Sequence, residues 1–133
     1  MIQEDYVSFE LAKLLKEKGF DVYTPTRYDY DGGFHSHGNY LIGDSDISAP
    51  THQMAMKWLR EVHNIFIQIK RDNQYYEGTP VTPITEHDKK RGHSSEYYAV
   101  VLDAKSNSNS FEHFDRYEEA VEAALKYVLE NLI

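Results

Sequence analysis

His35 and His37 stand two residues apart, with Asp29, Asp31, Asp44 and Asp46 close by in the chain. In extended backbone, side chains at that spacing leave the same face, so both imidazoles would point one way. Imidazole and carboxylate together suit Zn or a similar divalent ion, which makes this the one constellation with metal-ligand chemistry. A metal-dependent enzyme centred on His35 and His37 is the reading that follows from it. The competing reading is a solvated polar loop, since the chain holds seven histidines and such spacing arises easily by chance. Neither Tyr28-Asp29-Tyr30-Asp31-Gly32 nor Asp44-Ser45-Asp46 meets the calcium-loop pattern of alternating ligands, a glycine at six and a glutamate at twelve. His52 and His63 share a helical face, but eleven residues of helix separate them by about 16 Å, too far for one ion. They read as helix-end residues. His87 and His93 flank a basic turn with nothing to fix them together.

Other catalytic patterns are missing. The chain has no cysteine, which removes disulfides, thiolate metal sites, iron–sulfur clusters and cysteine nucleophiles. It has no strained serine elbow, no H-E-x-x-H pair, and no glycine loop with the spacing and following helix that cradle a phosphate. Carboxylates abound, but in an acidic chain abundance alone carries no acid–base signal. No cofactor is expected.

The segment 24–50 is the compositional oddity. It mixes turn formers with aromatic residues and shows no sustained period, and a long irregular stretch inside a small protein usually signals function or disorder. Tyr23, Tyr28, Tyr30, Phe34 and Tyr40, set among Gly, Ser, Asn and Asp, resemble a binding surface in composition. Tyrosine supplies contact area at low entropic cost, and small polar residues adapt to a partner. The simpler alternative is that these rings cover an otherwise bare sheet face.

Around this segment the hydrophobic pattern predicts the positioning elements. A helix is expected over 4–18 from Val7, Leu11, Leu14 and Leu15, ended by Gly19 as a left-handed cap. A second helix is expected from Pro50 and Thr51 to about His63, with Met54, Ala55, Trp58, Leu59 and Val62 as its stripe and Asn64 as its stop. Ile65, Ile67 and Ile69 alternate with Phe66, Gln68 and Lys70, the pattern of a half-buried strand. Residues 74–86 allow a short or edge strand because of Pro80 and Pro83. Residues 86–95 read as a polar connection, 97–104 as a strong strand and 106–110 as a polar loop. A last helix follows, capped by Asp115 with Glu118 completing a near capping box. The expectation is one α+β domain over 1–133, in the order α-loop-α-β-β-β-α. About three antiparallel strands carry helices on one face.

A chain of 133 residues is long enough to bury one core without staples. Its net charge of −8 argues against a broad nucleic-acid or anionic-membrane face, which needs clustered Lys and Arg. Helix–three strands–helix is also the order of double-stranded RNA-binding domains, which place lysines at the start of the final helix. Here that place holds Asp115, Glu118 and Glu119, and Lys89-Lys90-Arg91 alone is a small patch. Acidity serves solubility in the plain reading; the alternative is an acidic nucleic-acid mimic. The start of the chain has Glu4 and Asp5 where a signal peptide needs positive charge, and nothing approaches a membrane-spanning run, so a cytoplasmic location is expected.

Three blocks carry a resemblance. They are Val7 to Phe20, Ala49 to Ile65, and Tyr117 to Ile133. In that order they resemble a family of small uncharacterised proteins carried by phages and mobile elements of gut bacteria. The resemblance implies an accessory role on a mobile element and transfers no activity or site residue. Together with the missing catalytic patterns, the leading expectation is a non-catalytic interaction protein that binds an unidentified protein through the Tyr23–Tyr40 segment.

Overall fold

The computed structural model of the protein describes residues 2–36, 46–72, 96–110 and 114–133. In chain order these form α1 (Phe9–Glu17), β1 (Arg27–Tyr28), β2 (Phe34–His35), β3 (Ile47–Ser48), α2 (His52–His63), β4 (Phe66–Asp72), β5 (Glu96–Leu102), β6 (Ser108–Ser110) and α3 (Tyr117–Asn131). The fold is α+β, with two antiparallel three-stranded sheets ordered β2-β1-β3 and β4-β5-β6. No described helix is long and apolar enough to cross a membrane.

The larger sheet follows the alternation in the sequence. Ile67 pairs with Val101 and Ile69 with Ala99, so these four share one face. Ala99 and Val101 are buried there, whereas Phe66, Gln68 and Lys70 on the opposite pleat are exposed. Helices α2 and α3 cover the inner face. Ala120, Val121, Ala124, Leu125, Val128 and Leu129 of α3 are all buried, as its apolar period requires. One cluster of buried residues joins Leu11 and Leu15 of α1, Trp58 and Leu59 of α2, Val101 of β5 and Leu125 of α3.

The third strand is β6, formed by the polar Ser-Asn-Ser run expected to be a loop. Asp103 explains the difference. Its carboxylate accepts the amides of Lys105 and Asn107 at 2.9 Å each, closing a tight turn that brings residues 108–110 back along β5. The strand expected within 74–86 lies outside the described residues, as do the 86–95 connection, His87 and His93.

Two helix starts also differ from expectation. α1 begins at Phe9 because Ser8 accepts the Leu11 amide at 3.3 Å, while the preceding residues run extended. There Tyr6 bridges Thr51, the Val7 amide donates to the Pro50 carbonyl at 3.0 Å, and the His52 amide to the Asp5 carbonyl at 2.8 Å. α3 is preceded by Arg116 with no side-chain cap, and Asp115 makes no capping bond. The Tyr97–Phe114 bridge, two backbone bonds of 2.8 and 2.7 Å, fixes the chain just ahead of this start.

The other ends match the sequence. Thr51 caps α2 through the Met54 amide at 3.1 Å, and Asn64 ends it in the left-handed region at φ 55°. Past α1, Gly19 takes φ 98°, with Gly19 donating to Lys16 and Phe20 to Leu15, the paired closure of a Schellman motif. Phe20 then packs edge-on against Trp58 at 5.4 Å.

Segment 24–50 is where the architecture departs most from the expected irregular loop. Its described parts build the second sheet, with β1 paired to β2 on one side and β3 on the other. Thr24 and Thr26 are buried, Thr24 Oγ1 donating to the Thr26 carbonyl at 2.6 Å and Thr26 Oγ1 to that of Ala49. These hydroxyls and the Arg27–Asp46 ion pair at 3.1 Å hold two-residue strands that periodicity could not reveal. The small sheet sits against α1 through β3, and α1 in turn packs on α3. Thus α1 joins the two sheets' helical layers and does not lie on the larger sheet.

Candidate functional site

Asp29 organises the turn between β1 and β2. Its Oδ1 accepts the Asp31 amide at 2.9 Å and the Gly33 amide at 2.8 Å, and its own amide donates to the Gly33 carbonyl at 2.9 Å. Gly32 has φ 88°, and a Cβ there would stand 3.0 Å from the Phe9 ring, so glycine lets the turn lie directly on α1. Asp29 Oδ2 stands 2.9 Å from His35 Nε2. The His35 contact, followed by the Gly33 amide, holds the Asp29 carboxyl below its usual range.

That pair is the polar contact of the His35 ring among the described residues. Its Nε2 is committed to Asp29, leaving Nδ1 as the second ring nitrogen. His37, the other proposed ligand, lies outside the described residues, as does Asp44. Asp46, placed in the same sequence cluster, pairs with Arg27 instead. Among the described residues no group of three or more His, Asp or Glu could hold a metal.

The aromatic residues of the segment separate into two kinds. Tyr28 is half-buried: its hydroxyl donates to the Val7 carbonyl at 2.6 Å and its ring packs on Phe9 at 5.5 Å and Phe34 at 5.5 Å. Phe34 in turn meets Tyr6 at 5.0 Å. The result is a ladder Tyr6–Phe34–Tyr28–Phe9, with the Lys13 ammonium 4.6 Å from the Phe9 centroid at its end. Phe34 is 43% exposed and Tyr6 36% exposed, so the ladder is half-buried at Tyr28 and open at its far end. Tyr30, at the turn tip, is 73% exposed, and Tyr23, on the approach to the sheet, 66%. Tyr40 lies outside the described residues. The rings therefore line the small sheet and α1, and the alternative that they cover the larger sheet does not hold for Tyr28 and Phe34.

Beneath the ladder lies a polar junction that the sequence did not disclose. His52 is buried at the first turn of α2, and its Nε2 stands 2.7 Å from Glu122 Oε2 on α3. The same oxygen accepts the Ser8 amide at 3.3 Å. Burial raises the Tyr28 hydroxyl above its ordinary pKa, and the nearby Glu122 carboxylate adds to the rise. His52 Nδ1 is buried with no described partner. His63, the other helix-end histidine, packs edge-on against Trp58 at 4.8 Å. The two histidines stand at opposite ends of α2, as expected, with His52 buried and His63 half-buried. The only hint for His52 was its place one residue past a capping threonine; the Glu122 partner, seventy residues away, left no local signal.

No protein-family model matches the chain, and comparisons with curated proteins and with solved structures find no match.

Proposed function

We propose that this chain is a non-catalytic interaction protein that binds a partner protein through the aromatic surface of the β2-β1-β3 sheet. The observation that carries this reading is the Tyr6–Phe34–Tyr28–Phe9 ladder, anchored at Tyr28 and exposed at Phe34 and Tyr6, with Tyr30 beside it on a turn tied down by Asp29. Binding favours contact groups whose shape is set before the encounter, because less entropy is lost on docking. A ring fixed by its neighbours and open on one side meets that condition. Tyr23 and Tyr40 belong to the same proposed contact region. An accessory role on a mobile element, implied by the resemblance, and a cytoplasmic location, expected from the acidic start of the chain and the lack of a membrane-spanning run, complete the reading.

The test is affinity capture from the native cell with the wild-type chain and with a Tyr30→Ser, Phe34→Ser double variant. Tyr30 is exposed, whereas Phe34 also packs on Tyr28 and Tyr6, so thermal unfolding is measured alongside and capture is compared at a temperature where both chains are folded. The reading predicts that the variant loses the specifically captured protein. Equal capture by both chains overturns it.

A further inference from the structure

Away from the aromatic ladder, among the described residues, a furrow of about 530 Å³ runs between α1 and α3, with Leu11, Leu14, Glu17, Ala123, Lys126 and Glu130 in its lining. Its floor is apolar: Leu11 is buried, while Leu14 and Ala123 are half-buried. Ala123 contributes only a methyl group to the lining, and a short side chain on a helix face leaves room for a knob from a packing helix.

The charge along its walls is unbalanced, with four carboxylates against two ammonium groups. Not all of these are available. Glu122 is held by His52 and the Ser8 amide, and Lys13 lies over the Phe9 ring. What remains is Glu10 and Glu17 on α1 and Glu130 on α3, against Lys126. Among the described residues no ion pair or hydrogen bond engages these three glutamates.

We propose that the furrow between α1 and α3 is a docking site for an amphipathic helical segment of a partner protein. An apolar knob of that segment would seat on Leu11, Leu14 and Ala123, and its Lys or Arg residues would pair with Glu17 and Glu130. Dimensions and charge both favour this occupant. The nine residues of α1 extend about 13 Å at 1.5 Å per residue, the length of two to three turns of a docked helix. A helix laid in a groove between two helices presents side chains at i, i+3, i+4 and i+7, and Glu10, Leu14 and Glu17 occupy matching positions on α1. Opposite charges on the rim set orientation and speed the encounter, while the apolar floor supplies the affinity. The furrow shares none of the residues proposed to contact a partner on the aromatic surface, so the two surfaces can be separated by substitution.

The probe is a synthetic 14-residue helical peptide with leucine at helical spacing and lysine elsewhere, compared with a leucine–glutamate counterpart. Binding is read by fluorescence anisotropy and by amide chemical shifts of the labelled protein. The lysine peptide should bind, shifting the amides of Leu11, Leu14 and Ala123, and the glutamate peptide should not. Glu17→Lys with Glu130→Lys should weaken binding tenfold or more, whereas Glu61→Lys with Glu119→Lys, the same charge change at exposed positions outside the furrow, should leave it within twofold. Ala123→Gln, which puts a longer side chain into the furrow without altering charge, should also weaken it. Tyr30→Ser with Phe34→Ser should not alter the peptide's affinity, which keeps this test independent of the aromatic surface. Absent binding, equal weakening by both charge reversals, shifts scattered over the surface, or displacement by spermidine at matched charge would each overturn the proposal.

Discussion

Glu122 Oε2 stands 2.7 Å from His52 Nε2 and 3.3 Å from the Ser8 amide, so one carboxylate of α3 ties together the first turns of α2 and α1. All three helices meet there, and the Tyr28 hydroxyl reaches the same region through the Val7 carbonyl. The small sheet is thereby fastened to the helical layer at its central strand.

Removing that carboxylate should loosen the whole arrangement. Glu122→Ala leaves a buried imidazole and a backbone amide without their acceptor, and the expected loss is about 3 kcal/mol. Glu122→Gln keeps an acceptor oxygen and should recover part of it. Urea denaturation of the three chains checks both values, and an alanine variant as stable as wild type would contradict the junction's role.

Tyr28→Phe removes one hydroxyl and keeps the ring contacts. The lost bond to Val7 should cost about 1 kcal/mol. Because burial and Glu122 raise the Tyr28 pKa, its contribution is fully present below the ordinary tyrosine value of 10.0 and is lost as pH rises through the higher folded value. The wild type should therefore lose stability in strong alkali more steeply than Tyr28→Phe, as thermal melts across that range will show.

At the opposite end of the pH scale, the β1–β2 turn should open in acid. Asp29 is held below the ordinary aspartate value of 3.8, first by His35 and then by the Gly33 amide, so its contribution is present above that value and disappears as pH falls through the depressed one. The amide resonances of Asp31 and Gly33, which report its hydrogen bonds, should move in this acid range with a midpoint below 3.8. Asp29→Ala should abolish the movement while leaving α3 intact.

Gly19 is the position where backbone freedom matters most at the end of α1. At φ 98° an alanine is strained even though a Cβ would meet nothing within 4 Å. Gly19→Ala should cost about 1 kcal/mol, readable by chemical denaturation, with the loss arising from conformation and not from packing.

The sequence disclosed those elements whose hydrophobic period is long enough to measure. The apolar face of α3, the Ile67–Ile69 alternation and the Thr51 and Gly19 boundaries all appear as expected, because each rests on neighbours within a turn or two. The small sheet was illegible for the converse reason. Two-residue strands have no period, and those at Arg27–Tyr28 and Ile47–Ser48 are held by side-chain bonds across twenty residues. Composition singled out the aromatic residues of the segment without showing that Tyr28 is half-buried and bonded to Val7 while Tyr30 is exposed. Nor could spacing show that Asp29, set near His35 in the chain, closes its own turn and also meets the His35 ring. The His52–Glu122 pair and the α1–α3 furrow depend on chain segments brought together only by folding.

Site-specific crosslinking tests the aromatic surface most directly. A photoreactive benzophenone side chain placed at position 30 or 34, with position 61 on the exposed face of α2 as control, would be irradiated in the native cell. A discrete adduct with one partner protein from positions 30 and 34, and none from 61, is the predicted result. An adduct from position 61 alone, or none from the two aromatic positions, would contradict the account.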